Sequence, residues 1–572
     1  MSILEEGLNR RFSACVLTAI TLFSQTVFAQ TPPDSGRLLQ DQPKPPAATP
    51  ATPVRITPPA PEESAPTAGP RILVKGFRIH GAILIAEAEL AAHLQGLVGK
   101  ELTLEQLRAA AARLSAYYLQ RGYLARAIVP PQEISDGIVE IQVIEGRRGS
   151  LNINNEGKRI DSARVQGVID WRLAPGEPMS VSALGEAMNI LNEQPGVEAK
   201  AAIAPGEGEA EIDVTVRATD KAATRYTVGL NNHGSYGTGE NQAYAAITLN
   251  NPTGHFDAAS LLVNLSEGSR YFRGDYSIAA GDSGLRVGIN AARLDYELTA
   301  SAFDALDAEG DATSAGLTAS YPLARRGDFY LTLAGSYDGK KLTDRTVAGE
   351  TGNRRVKVLA AGIDGYVGNP NAGGPVVSFG MGYTQGNSDQ RNAAALAADS
   401  TTRKVQGDFS KLSYNLGWLN PLPNDFSFNA TLRGQIAGDN LDSSERFSLG
   451  GPNGVRAYPV GEAAGDDGWL ISLNLVKRVN DSLLAYLFYD AGGIRRNHTL
   501  WTDWNASNPD LRNTYTLKGA GAGVDWRISQ TFLLSASVAT PIGDNPGADI
   551  NNLNVDGADN ETHAWFKLSG EF

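Results

Sequence analysis

The chain has 572 residues, 42% of them hydrophobic and 20% charged, with 62 glycines and 29 prolines. That is too apolar for a disordered chain and too polar for a helical membrane protein, and the glycine content exceeds the usual ~7%, as many turns would require. A net charge of -13 argues against nucleic acid as a partner. No apolar run long enough for a spanning helix lies beyond the first thirty residues. A transmembrane β-barrel stays open, because its strands alternate polar and apolar residues and look soluble on average.

Residues 1–29 read as a secretory signal peptide. Arg10 and Arg11 precede the apolar run Phe12–Phe23, and Val27-Phe28-Ala29 supplies a cleavage site. The only cysteine, Cys15, lies inside it, so the mature chain would hold no disulfide, zinc-thiolate site or catalytic thiol. Residues 30–70 combine one short helical candidate, Asp34–Asp41, with a Pro-rich linker that cannot build a core. The helix is too short to stand alone and needs a host surface.

Residues 71–146 read as a β-α-α-β-β module. Leu104, Leu107, Ala111, Leu114 and Tyr118 recur at helical spacing, and Ile138–Ile144 alternates as a strand. Residues 147–220 repeat the plan, with a helix at Ser182–Leu191 broken by Pro195-Gly196, and two such units in tandem are a repeat signal. From 221 to 572 helical periodicity disappears and period-2 segments alternate with Gly, Asn and Asp turns, as in Phe329–Leu333, Phe426–Ala430 and Phe532–Val538. At about 9–11 residues per spanning strand plus a connection, roughly 16 strands fit. The last strand places Ala564, Phe566, Leu568, Gly570 and the terminal Phe572 on one face. A periplasmic all-β sandwich is the alternative for this block, although nothing marks two stacked cores.

Several segments then resemble the two-partner secretion transporters (TpsB, the haemolysin secretion/activation type), in the superfamily of POTRA-plus-barrel outer-membrane proteins. They are Leu191–Val197 with Ala204–Gly206, Asn250–Gly254, Tyr321–Arg325, Phe447–Pro459 with Gly465–Trp469, and Phe488–Gly492. The resemblance implies a mainly β fold, a 16-stranded antiparallel transmembrane β-barrel preceded by two α+β POTRA modules. It implies a loop folded into the lumen with Val455, Arg456, Ala457 and Tyr458 at its tip, and a barrel-wall partner motif of Phe488, Asp490 and Gly492. A guanidinium can grip a carboxylate through two parallel hydrogen bonds, which lysine cannot reproduce. Departures from the family pattern are Ala457 for Gly, Asn474 for Glu, and Ala279 where Tyr276-Ser-Ile would be followed by Pro.

By the same resemblance the protein secretes a large TpsA-type exoprotein, haemolysin- or adhesin-like, in unfolded form from periplasm to cell surface. Phe572 would be the C-terminal signal read by the barrel assembly machinery. Outer-membrane lipid and a monomeric pore are also implied. Client binding by strand addition points to Leu107, Leu114, Tyr118 and Val143, for which core packing is the competing reading. The N-terminal helix around Arg37-Leu38-Leu39 is either a plug for the resting lumen or a free tail. An outer-membrane assembly or insertion factor is the rival function, and a passive porin would not need residues 71–219. No enzyme motif, cofactor loop or metal-ligand spacing is present among the six scattered histidines or elsewhere.

Overall fold

A computed structural model describes residues 32–43, 70–134, 136–369, 373–559 and 561–572. The expected signal peptide and most of the linker lie outside these residues.

In the first module the helix Leu104–Gln120 starts at a capping box. Thr103 Oγ1 accepts from the Gln106 amide, and Gln106 Oε1 accepts from the Thr103 amide. Its buried stripe of Leu107, Ala110, Ala111, Leu114 and Tyr118 covers a sheet in which Ile138–Glu145 lies between Gly76–His80 and Ala125–Ile128. Leu107, Leu114 and Tyr118 are fully buried and Val143 is 3% exposed, and the Tyr118 hydroxyl donates to Glu145 at 2.8 Å. The four client-binding candidates are therefore core. Their helical and strand periodicity marks packing, and no client could reach them in the folded module.

The second module has the sheet order Arg147–Asn155, Glu211–Asp220, Val197–Pro205. Its helix Val181–Glu193 coincides with the sequence reading, and it also has a helix, Ser162–Arg172, that the apolar pattern does not mark. Only Val165, Val168 and Ile169 of that helix are buried, and Gly167 weakens its intrinsic propensity. Asp161 caps it by accepting from the Ala163 amide.

Sixteen strands from Thr224 to Glu571 form a closed barrel, each antiparallel to its neighbour in sequence. Closure pairs Thr224–Asn231 with His563–Glu571 over five residues, from Lys567↔Asn231 to Glu571↔Thr227. The Asn232 side chain extends the seam by bonding Ala564 O and the Phe566 amide. Phe572 and Tyr226 exchange backbone hydrogen bonds at 2.9 and 3.0 Å. Along Phe329–Thr346, Phe329, Leu333 and Tyr337 are exposed while Tyr330 and Leu342 are buried, so the apolar face turned outward is the one a bilayer covers. Phe329, Trp418, Phe426, Trp526, Phe532 and Phe572 are all exposed close to the ends that carry the second module. They form an aromatic girdle at the periplasmic rim. The strands from Glu309 to Val367 run to 18–19 residues, making one wall taller than the rest.

The second module is bolted to the rim. Arg325 Nε donates to Glu193 at 2.6 Å, Asn189 Nδ2 to Arg325 O at 3.0 Å, and Arg286 Nη1 to Gln194 at 2.9 Å. Among the described residues no helix is long and apolar enough to cross a membrane.

Candidate functional site: the occupied lumen

Between the strands Phe426–Ala437 and Asp467–Asn480 the chain makes its long loop. Phe447–Ser448 pairs with Ala464–Gly465, and Gly450 bridges to Val455, folding the loop on itself. The backbones approach so closely that a Cβ on Gly450 or Gly454 would collide with the carbonyls of Pro459 or Leu449, so only glycine fits.

The tip lies against the inner wall. Arg456 Nε donates to Asp490 Oδ2 at 2.7 Å and Nη2 to Oδ1 at 2.8 Å, while the Arg456 amide reaches Oδ2 at 3.1 Å. Nη2 also donates to Ser472 Oγ and Asn474 Oδ1, each at 3.0 Å. Ser472 Oγ donates to Asp490 Oδ1 at 2.6 Å, so the buried carboxylate is saturated. The guanidinium carbon sits 3.4 Å from the Phe488 ring centroid, a cation–π contact. The Arg456 carbonyl accepts from Trp565 Nε1 at 2.7 Å. Asp490 is wholly buried and the Arg456 side chain is 12% exposed.

The strand period of two explains the wall motif, because Phe488, Asp490 and Gly492 share one face. Phe488 is the platform and Asp490 the grip. Gly492 leaves room for Leu449, whose side chain occupies the space a Cβ would need. Gly519, directly opposite Asp490 in the next strand, makes the same room for Ala457. Val455, Ala457 and Tyr458 are fully buried around the tip. The structure thus brings all seven loop and wall residues together. Asn474, one of the departures from the expected pattern, still supplies an acceptor to Arg456. Sequence reasoning missed Ser472, Trp565 and Gly519. Ser472 is two residues before Asn474 on the same face, and Trp565 has the parity opposite to the outward Phe566, the signals that could have found them.

The helix Ser35–Gln40 is also inside the barrel. Leu38, 2% exposed, packs in a cluster with Leu262, Tyr271, Leu294, Leu342, Val356 and Phe409, from six different strands. Asp34 Oδ1 caps the helix through the Arg37 amide at 3.0 Å, and Oδ2 accepts from Ser443 Oγ at 2.8 Å and Arg354 Nη1 at 2.9 Å. The Ser35 amide donates to Asp344 at 2.7 Å, and Asn264 donates to Gln42 at 3.1 Å. The taller wall and the inward loop therefore clamp the helix from two sides. Glu445 of the loop binds Lys340 and, at 2.9 Å, Lys411.

Burial pushes the Asp34 carboxyl up, but Arg354, with the bonds from Arg37 and Ser443, outweighs it and holds the group at about 2, below the ordinary 3.8. Burial likewise opposes ionisation of Glu445, and Lys340 and Lys411 overcome it, holding the group at about 2. Asp41, the C-cap of the helix, is pushed by burial to about 6 against the weaker pull of Arg37. The helix thus has a strongly held acidic end and an acidic end that resists ionisation. Among the described residues no group of acidic, histidine or cysteine side chains could hold a metal ion.

Comparison with known proteins places these features. The profile of the haemolysin secretion/activation protein family ShlB/FhaC/HecB matches residues 208–525, and that of the ShlB-type POTRA domain matches residues 72–146. The heme/hemopexin transporter protein HuxB of Haemophilus influenzae (strain 86-028NP) is 28% identical over 80% of this chain and 81% of its own. The outer membrane transporter CdiB of Escherichia coli is 25% identical over 83% of this chain and 79% of its own. A solved structure of CdiB from Escherichia coli superposes with a TM-score of 0.69, covering 90% of this chain and 93% of that one at 22% identity.

Proposed function

The chain belongs to the haemolysin secretion/activation family of the ShlB/FhaC/HecB type, and from that membership we propose how its lumen is shut and opened. The protein is an outer-membrane transporter of two-partner secretion, passing a TpsA-type exoprotein from the periplasm to the cell surface. In our reading residues 1–29 direct export, residues 71–146 and 147–220 form the periplasmic docking modules, and residues 221–572 form the pore.

The resting state is closed by the helix Ser35–Gln40. An exoprotein arrives unfolded and adds itself as a strand to an open sheet edge, such as Val197–Pro205 or Gly76–His80, where main-chain bonds make little demand on sequence. The helix then leaves the lumen, tethered by the Pro-rich linker. The Arg456–Asp490 clasp holds the loop tip to the wall while the chain passes. Folding outside prevents back-sliding, so no nucleotide is needed.

The observation that carries this reading is the helix clamped among side chains of six strands with Asp34 bridging Arg354 and Ser443. Such a plug must move before a polypeptide can pass. Planar-bilayer recording of the reconstituted protein tests it. Deletion of residues 32–43 is expected to convert a mostly closed, flickering trace into a steadily open one. Unchanged conductance in the deletion variant would refute the plug.

A further inference from the structure

Trp171, near the end of the helix Ser162–Arg172, is 61% exposed, although indole carries a large apolar area that folding usually covers. The contacts of its own helix fix where it lies. Just before the helix, Arg159 Nη1 donates to Asn250 O at 2.9 Å and its carbonyl accepts from Asn251 at 2.6 Å, at the first periplasmic turn of the barrel. Within the helix, Arg164 donates to Gly281 O at 3.4 Å, and Gly167 packs so tightly on Asp282 that a Cβ would collide, at the second turn. At the far end Arg172 lies 3.6 Å from Glu186, which also binds Arg326 beside the third turn. The helix therefore runs along three consecutive turns, parallel to the rim and to the membrane surface.

At about 3.6 residues per turn, Arg164, Gly167 and Trp171 share a stripe next to the buried one of Val165, Val168 and Ile169. That stripe is the one that meets the barrel turns. Arg326 follows Arg325, whose side chain bonds Thr332 and Glu193 at the lumen mouth, so by alternation Arg326 faces outward. Its ladder partner is Phe329, and both Phe329 and nearby Leu323 are exposed apolar residues of the outer face. Arg326 Nε goes to Glu186, and the Arg326 side chain stays 73% exposed. Arg326 and Phe329 thus sit at the rim of the outer face, and Glu186 and Arg172 join Arg326 to the helix end that carries Trp171.

We propose that Trp171 anchors the second module in the headgroup layer of the periplasmic leaflet. The indole sits at the boundary between acyl chains and headgroups, and Arg326 reaches the phosphate oxygens of the same phospholipids. Amphipathic rings favour that layer, and a long basic side chain reaches the phosphates from it. The partner is a phospholipid surface because the helix that carries the exposed indole packs on the periplasmic turns where the lipid-covered face of the barrel ends. It holds the module at a fixed tilt under the pore, in addition to the ion pairs at the rim.

The test uses the full chain in phospholipid nanodiscs with plain or bromine-labelled acyl chains. The protein has seven tryptophans, so the wild-type spectrum minus that of Trp171→Phe isolates this indole. The expected difference emission is blue-shifted and loses intensity in brominated discs. Difference emission at the solvent-exposed wavelength, unquenched by bromine, overturns the proposal. So does a shift that appears only when unfolded exoprotein is added, which would make the ring a client grip. Should Trp171→Phe fold poorly, a spin label at Trp171→Cys, in a chain whose only native cysteine is Cys15, gives the same reading. Greater collision with oxygen than with a polar nickel reagent is expected, and the reverse order refutes the anchor.

Discussion

At the scale of single residues the Arg456–Asp490 pair is bidentate, buried and ringed by Ser472, Asn474 and Phe488. Charge-assisted bonds of this kind contribute roughly 1.5–3 kcal/mol each, whereas removing one partner of a buried pair costs about 3–5 kcal/mol because the other charge is stranded. Arg456→Ala and Asp490→Ala are therefore expected to release the loop to comparable extents, and the double variant to be little worse than either alone. Protease nicking of the loop in outer-membrane vesicles and the amount of secreted exoprotein check this. Additive losses would mean that the two side chains act separately. Arg456→Lys keeps the charge but loses the fork, and it should fall between wild type and alanine. The pair was legible through the resemblance of its loop and wall segments to the family's motifs, since nothing in spacing or periodicity alone joins residues 34 positions apart. Ser472 and Trp565 were not, since Trp565 stands 109 residues from the carbonyl it bonds and only barrel closure brings the two together.

At the scale of elements, the helix Ser35–Gln40 has ends that respond oppositely to pH. Asp34 is depressed to about 2 on docking, so its contribution is present above the ordinary 3.8 and is lost as pH falls toward 2. Asp41 is raised to about 6, so the docked helix binds the extra proton, and docking weakens as pH rises from 3.8 through 6. Docking is then tightest at about pH 4 and weakens from there to about 6. Open probability in planar bilayers should rise from pH 5 to pH 7 in the wild type and stay flat over that interval in Asp41→Asn. An identical rise in both proteins would remove Asp41 from the account. A second element, the joint between the second module and the rim, depends on Arg325 between Glu193 and the lumen wall. Arg325→Ala should speed hydrogen exchange in the helix Val181–Glu193 while leaving the first module unchanged, as mass spectrometry of peptides would show. Elements with strong periodicity, such as Leu104–Gln120, could be read from sequence alone. The helix Ser162–Arg172 could not, because its three buried residues and internal glycine give a weak pattern and its stability comes from packing under the rim.

At the scale of the whole molecule, period-2 alternation, turn residues and chain length were enough to count sixteen strands. They left the filling of the lumen open: the inward loop was implied only by the family resemblance, and the N-terminal helix stood equally as plug or free tail. The contacts of the plug join residues hundreds of positions apart, as between Ser35 and Asp344, separated by 309 residues, and a six-residue helix carries no sign of its host. The account stands or falls on whether that helix must leave for the exoprotein to pass. A Cβ placed on Gly36 lies 3.2 Å from that of Ser444, close to the ~3.5–4.5 Å span of a disulfide. Gly36→Cys with Ser444→Cys, in a Cys15→Ser background, should therefore lock the plug. The decisive measurement is exoprotein released by cells carrying this pair, with disulfide formation scored on gels. Secretion should stop when the bond forms and return on adding a thiol reductant, with Ser444→Cys alone behaving as wild type and Gly36→Cys alone, whose Cβ crowds Ser443 Oγ and the Ser444 amide, setting the baseline for the reduced pair. Undiminished secretion through fully cross-linked barrels would contradict the account.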